Sequence, residues 1–224
     1  MPPDDSIVLL FDVDNTLLDN DALKADLHRQ LGALLGAALN ARFWEHYEAV
    51  RQERDVVDLP LALERFAPLC PDPALAARAR AIVMDYPFAS RLYPATLAAL
   101  AHARALGTPA ILSDGDAVYQ PRKIAGSGLA AAVGERVQVY IHKEQHVAAV
   151  MAAWPAALYV AVDDKARILA ALVEQQPRRF VTVHVRQGHY ADDPPAGPEP
   201  DITLAGIGDL QTLSAADLWR HARR

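Results

Sequence analysis

Two acids one residue apart, Asp12 and Asp14, close the apolar run Ile7-Val8-Leu9-Leu10-Phe11. Carboxylates beside a buried core are costly unless a cation or a polar partner compensates them. Three more polar groups follow short apolar runs in the same way. Pro109 to Ser113 leads into Asp114-Gly115-Asp116, Val137 to Ile141 into His142-Lys143, and Leu158 to Val162 into Asp163-Asp164. Acids clustered with a lysine suit a hard cation and a phosphate. Magnesium takes oxygen ligands, usually one or two carboxylates with substrate phosphate and water, and a lysine is a point charge for phosphate. An isolated Asp-x-Asp is more often a turn or a helix cap; polar groups at four strand ends together are what point to chemistry.

The elements that must hold these groups are legible in the pattern. Continuous apolar runs read as strands buried on both faces. Phe180 to Val185 and a weaker edge, Asp201 to Leu204, join the runs named above. Helical patterns separate most of them, over Ala95 to Leu106, Pro121 to Leu129, Lys143 to Trp154 and Lys165 to Glu174. This alternation predicts an α/β fold, a Rossmann-like parallel sheet with helices on both faces. The carboxyl ends of such strands converge on one crevice. Residues 17 to 91 differ, being rich in Ala, Leu, Arg and Glu with helical spacing at Leu23, Leu27, Leu31, Leu34 and Leu35. About four helices without a strand are expected there, with breaks near Asn40, Pro60, Pro68 to Pro73 and Pro87. Gly32 and Gly36 fall in one helix on this reading, as a close-packing pair.

Asp12-Val13-Asp14-Asn15-Thr16-Leu17 resembles the first motif of the haloacid dehalogenase-like superfamily, whose phosphatase branch carries Asp-x-Asp-x-Thr. Ser113, Lys143 and Asp163-Asp164 resemble its second, third and fourth motifs, Tyr93-Pro94-Ala95 its Tyr-Pro-Gly after a helical cap, and Gly188 the glycine after its fifth strand. The resemblance covers about residues 6–16 and 92–206. It implies a core of residues 1–16 and 92–224 and an all-α cap, 17–91, inserted after the first strand. It also implies a magnesium-dependent phosphohydrolase. Asp12 would be the nucleophile, giving an aspartyl-phosphate, and Asp14 the general acid and base. Asp12, the Asp14 carbonyl, Asp164 and Asp163 would hold Mg²⁺. Ser113, the Asp114 backbone N–H and Lys143 would bind phosphate. Asn20, Asp21, His46, Tyr47, Arg51 and Arg54 are cap candidates for substrate binding, Asn20 and Arg51 foremost. Dehalogenating relatives displace halide, which needs no proton, and typically lack the second acid. A phosphomutase, a haloacid dehalogenase and a non-catalytic binding module remain the alternatives. Asn15 stands where many members have Gly, and Ala95 likewise.

Competing motifs are weaker. Lys123 rivals Lys143 for the third motif but lies inside a helical pattern. His142 and His146 are four apart, yet the zinc-protease pattern needs Glu directly after the first His. Asp12 to Asp21 lacks the glycine that a calcium loop requires at its sixth position, where Leu17 sits. Asp114-Gly115-Asp116 reads as a turn with Gly115 at positive φ. Gly126-Ser127-Gly128 and Gly206-Ile207-Gly208 lack a third glycine for a dinucleotide fingerprint.

Composition sets the frame. The chain has 224 residues, 52% hydrophobic and 22% charged, with a formal charge of −6. That charge disfavours a nucleic-acid partner, so an anionic small molecule needs a local positive device. Cys70 is the only cysteine, which excludes an intrachain disulfide and fits a cytoplasmic setting. The start, Met1-Pro2-Pro3-Asp4-Asp5-Ser6, has no signal-peptide pattern, and no apolar run approaches the ~18 residues of a membrane span. The expected partner is a small phosphate ester, bound by a monomer or homodimer.

Overall fold

The structure, a computed structural model, describes residues 5–177, 179–193 and 197–222. Met1 to Asp4 of the N-terminal reading, and Pro194 and Pro195 of the proline-rich loop, lie outside them. Six strands form one parallel sheet: β1 (Ile7–Phe11), β2 (Thr108–Asp114), β3 (Val137–Tyr140), β4 (Leu158–Asp163), β5 (Phe180–Val185) and β6 (Ile202–Leu204). Their spatial order is β3-β2-β1-β4-β5-β6, which places β1 between β2 and β4. Side chains alternate across a strand, and β1 shows the result. Ile7, Leu9 and Phe11 enter one core, while Val8 and Leu10 enter another on the opposite face. Helices α4 (Thr96–Leu106), α5 (Tyr119–Gly126), α6 (Leu129–Ala132) and α9 (Ala215–His221) bury apolar residues in the first core. Helices α7 (Val147–Ala153) and α8 (Ala166–Gln175) do so in the second.

Between β1 and α4 the chain is helical. It contains α1 (Asn20–Arg54), α2 (Leu59–Phe66) and α3 (Pro73–Met84), which pack on one another. Asp19, Asp58 and Asp72 cap these helices by accepting from backbone N–H groups of Ala22, Leu61 and Ala74. Pro60 and Pro73 sit in the first turns of α2 and α3, so they start helices rather than break them. The expected break near Asn40 lies instead at Gly36, whose φ of 73° interrupts α1. Asn40 is helical and buried. Gly36 is therefore no packing glycine: a Cβ there would meet nothing within 4 Å. Its use is the left-handed backbone that other residues rarely adopt.

The way into and out of this helical segment is a pair of antiparallel stretches joined by a single β-bridge. Leu18 bridges Leu92, Asp19 N–H donates to Arg91 O at 2.8 Å and Tyr93 N–H to Leu17 O at 3.1 Å. Arg91 and the Tyr86 hydroxyl both reach Asp26 of α1 at 2.7 Å. Ala95 takes φ 65° immediately after Tyr93-Pro94, so the position that resembles a family glycine has the backbone geometry glycine favours. Among the described residues no helix is long and apolar enough to cross a membrane.

Candidate active site

The carboxyl ends of β1, β2 and β4, with the turn after β3, bring the polar groups of the four segments together. Asp12 is 3% exposed at the end of β1, its N–H donating to Val162 O on β4 at 2.9 Å. Lys143, 2% exposed, places Nζ 2.5 Å from Asp12 Oδ1 and 2.7 Å from Asp163 Oδ2. Thr16 Oγ1 lies 3.2 Å from Asp12 Oδ2 and accepts the Asp164 N–H at 2.9 Å. Thus the turn after β1 is tied to the end of β4.

Electrostatics explain how so much charge stays buried. Burial alone would raise the Asp12 carboxyl, but Lys143 and Lys165 outweigh it and hold it below its usual range. Burial alone would lower the Lys143 ammonium, yet Asp12, Asp163 and Asp114 raise it. Asp164 has no such partner. Burial, then the charges of Asp163 and Asp12, push it up to about 9.

That imbalance bears on a metal. One oxygen each from Asp12, Asp163 and Asp164 lies within 4.8 Å of the others. Asp164 Oδ2 is buried without a hydrogen-bond partner, an expensive state for a polar atom. An all-oxygen donor set with a free buried carboxylate oxygen suits a hard divalent cation such as Mg²⁺. The cation would also deprotonate Asp164.

Asp14 sits apart from this cluster. Its carboxylate is 25% exposed and receives Lys123 Nζ at 2.7 and 2.9 Å; the same ammonium donates to Asn20 Oδ1 at 3.2 Å. Asn15, at φ 63°, caps the start of α1 through Oδ1, accepting from Asn20 and Asp21 N–H. Gly188 passes so close to Asn15 that a Cβ there would fall 2.5 Å from its side chain, and its φ is 65°. Close backbone approach requires glycine here.

Comparison with known structures follows this geometry. The chain is 48% identical to a haloacid dehalogenase-like hydrolase of Burkholderia xenovorans LB400, with a TM-score of 0.85 over 94% of this chain and 99% of that one. The chain belongs to the haloacid dehalogenase-like hydrolases. L-2-haloacid dehalogenase of Xanthobacter autotrophicus shares the fold at 18% identity and a TM-score of 0.56, over 92% of this chain and 97% of its own. CbbY of Rhodobacter sphaeroides, in complex with phosphate, does so at 17% and 0.58, over 94% and 98%. No family model and no curated protein matches the chain.

In this haloacid dehalogenase-like hydrolase a cavity of about 660 Å³ opens beside Asp12 and Asp14. Among the cap candidates Asn20, Tyr47 and Arg51 line it, whereas Asp21, His46 and Arg54 do not. Asp21 is instead bonded to Asn15 and His189, and Arg54 lines a separate groove. Ser113 is 1% exposed; its Oγ accepts from Gln120, which lines the cavity in front of it. Asp114 accepts the Lys143 N–H at 2.8 Å. Gly115 is not at positive φ: what excludes a side chain is the Gln120 Cβ, 2.5 Å from where its own Cβ would lie. His142 and His146 diverge, one pairing with Asp55 and the other stacking on Tyr140. Nothing in the sequence gives Gln120 or Lys165 a site role; Thr16 figures there only within the first motif, and Lys123 only as the weaker rival of Lys143. Lys123 lies in α5 as its pattern predicts, and nothing local signals that its tip reaches Asp14.

Proposed function

We propose that this hydrolase is a magnesium-dependent phosphohydrolase of small phosphate esters, working in the cytoplasm through an aspartyl-phosphate on Asp12, with residues 17–91 as the cap over its site. The observation that carries the reading is that the Asp14 carboxylate lines the same cavity as Asp12 and is separate from the buried acid cluster. A second acid beside the leaving group serves phosphoryl transfer and would be idle in halide displacement.

Asp12 attacks phosphorus as a carboxylate, the form that Lys143 and Lys165 favour. The bond from phosphorus to the ester oxygen breaks, and Asp14 gives that oxygen a proton. Proton delivery requires Asp14 to release or share its bond to Lys123. Water, losing a proton to Asp14, then attacks the acyl phosphate and frees inorganic phosphate. Lys143 offsets charge on the nucleophile and the incoming phosphoryl group, and Thr16 fixes the second carboxylate oxygen. Ser113 and the Asp114 N–H complete the phosphate contacts once Gln120 yields its bond to Ser113. Asp12, Asp163 and Asp164, with the Asp14 carbonyl, are the residues to hold Mg²⁺, which supplies charge neutralisation between two anions.

The test is hydrolysis of p-nitrophenyl phosphate. Activity is expected with Mg²⁺, lost in chelator, and restored by added Mg²⁺. Asp12→Asn should lower kcat by roughly 10⁴-fold or more, as loss of a nucleophile does. Unchanged hydrolysis in that variant, or halide release from a haloacid at a greater rate, would overturn the assignment.

A further inference from the structure

The cavity beside Asp12 extends under α1, and its charges are unevenly paired. Every carboxylate on its wall has a protein donor. Asp12 pairs with Lys143, Asp14 with Lys123, Glu48 with Arg51, and Asp55 with His142, while Asp114 accepts the Lys143 N–H. Three cations on the same wall, Lys24, Lys165 and Arg167, have no ion-pair partner among the described residues. Lys165 lies in the field of Asp12, Asp163 and Asp164, so it belongs to the phosphoryl end. Lys24 and Arg167 are left over. Lys24 Nζ stands 5.5 Å from the centre of the Tyr47 ring and touches no acid. Tyr119, on the same wall, keeps a buried hydroxyl without a protein partner.

We infer that the ester taken by this site carries a second anionic group on its leaving group, a carboxylate or a second phosphate, and that Lys24 selects for it, with Arg167 as the further donor. The inference rests on the phosphohydrolase reading above and names its substrate class. A neutral leaving group would strip water from Lys24 and Arg167 and return nothing. An anion restores the pairing that every acid in the cavity already has, and an oxygen acceptor on it would satisfy Tyr119. The aromatic wall of Trp44 and Tyr47 then bounds the carbon skeleton, because Trp44, Tyr47, Glu48 and Arg51 fall on one face of α1.

Three esters on one two-carbon frame make the test: phosphoglycolate, ethylene glycol bisphosphate and ethyl phosphate. The wild type should show a kcat/KM at least about tenfold higher for one or both charged esters than for ethyl phosphate, the scale of a hydrogen bond to a charged group. Which charged ester is preferred tells carboxylate from phosphate. Lys24→Met should lower that ratio through KM, Lys24→Arg should keep it, and Arg167→Met should reduce it less. A ratio inside one variant is insensitive to loss of folded protein. Equal kcat/KM for all three esters, or a ratio unmoved by both Lys24→Met and Arg167→Met, overturns the inference and leaves the phosphohydrolase reading standing. Failure to hydrolyse these esters and p-nitrophenyl phosphate alike removes that reading and the inference with it.

Discussion

The strand-end cluster, which meets the cavity at Asp12, and the α1 wall that lines it are built on opposite terms. At the strand ends the charged groups are nearly inaccessible, and Asp12, Asp163 and Lys143 are each fixed by more than one partner. Lys143 alone contacts Asp12, Asp163 and the Leu112 carbonyl. On the α1 wall Lys24 is exposed and Arg51 half-exposed, and their partners are a ring face and a neighbouring glutamate. Over-determined geometry is what a nucleophile and a metal require, since displacement of about 1 Å costs rate heavily. Open donors on a helix face are what selection among substrates requires. On the proposed function, chemistry belongs to the sheet and choice to the helical segment.

The largest effect should come from breaking the closed side. Lys143→Met leaves Asp12 and Asp163 buried without their cation, which should abolish hydrolysis and lower unfolding free energy by about 3–5 kcal/mol. Denaturant unfolding reads the second effect. Lys24→Met, on the open side, should fall within about 0.5 kcal/mol of wild type. Similar losses for both would erase the distinction between the two regions.

Asp14→Asn sharpens it next. Without proton donation, an alkyl phosphate should lose roughly 10²–10⁴-fold in kcat. p-Nitrophenyl phosphate, whose leaving group departs without a proton, should lose much less in the first chemical step. Equal losses on both esters in that first step, read from the pre-steady-state burst, would take the acid role from Asp14.

A smaller effect tests how the end of the helical segment is tied back to α1. The Tyr86 hydroxyl, with Arg91, Arg29 and Gln30, holds the Asp26 carboxyl well below its usual range against a raising effect of burial. A carboxyl depressed on folding stabilises above its unfolded pKa near ~4, and that stabilisation is lost as pH falls through the lower folded value. The stability difference between wild type and Asp26→Asn should therefore shrink on acidification below about pH 4, read by thermal unfolding across pH. A constant difference would show that Asp26 acts by packing alone.

The two regions were also unequally legible in the sequence. β1, β2, β4 and β5 were readable to within a residue or so, because strands buried on both faces admit only apolar residues until the chain reaches the crevice. Asp12, Lys143 and the Asp163-Asp164 pair stood out for the same reason: each is a sharp change of polarity at the end of such a run. The helical segment offered only amphipathic spacing, which tolerates many residues at each position. Its helices could be counted, but the break at Gly36 was misplaced to Asn40, and three of six cap candidates point elsewhere. The contacts of Lys123 and Thr16 were not legible, because their partners lie far off in sequence, at Asp14 and Asp164. Helical periodicity says which face a residue occupies and nothing about what a long side chain reaches.

The central claim is that Asp12 becomes phosphorylated. Asp14→Asn with p-nitrophenyl phosphate and Mg²⁺ is the direct test, because nitrophenolate leaves without a donor while water attack on the acyl phosphate lacks its base. Acid quenching followed by borohydride reduction converts a phosphorylated aspartate to homoserine, which mass spectrometry locates. The proposed mechanism predicts homoserine at position 12, in near-stoichiometric yield and in step with a burst of nitrophenolate. Steady nitrophenolate release with an unmodified Asp12 would contradict it.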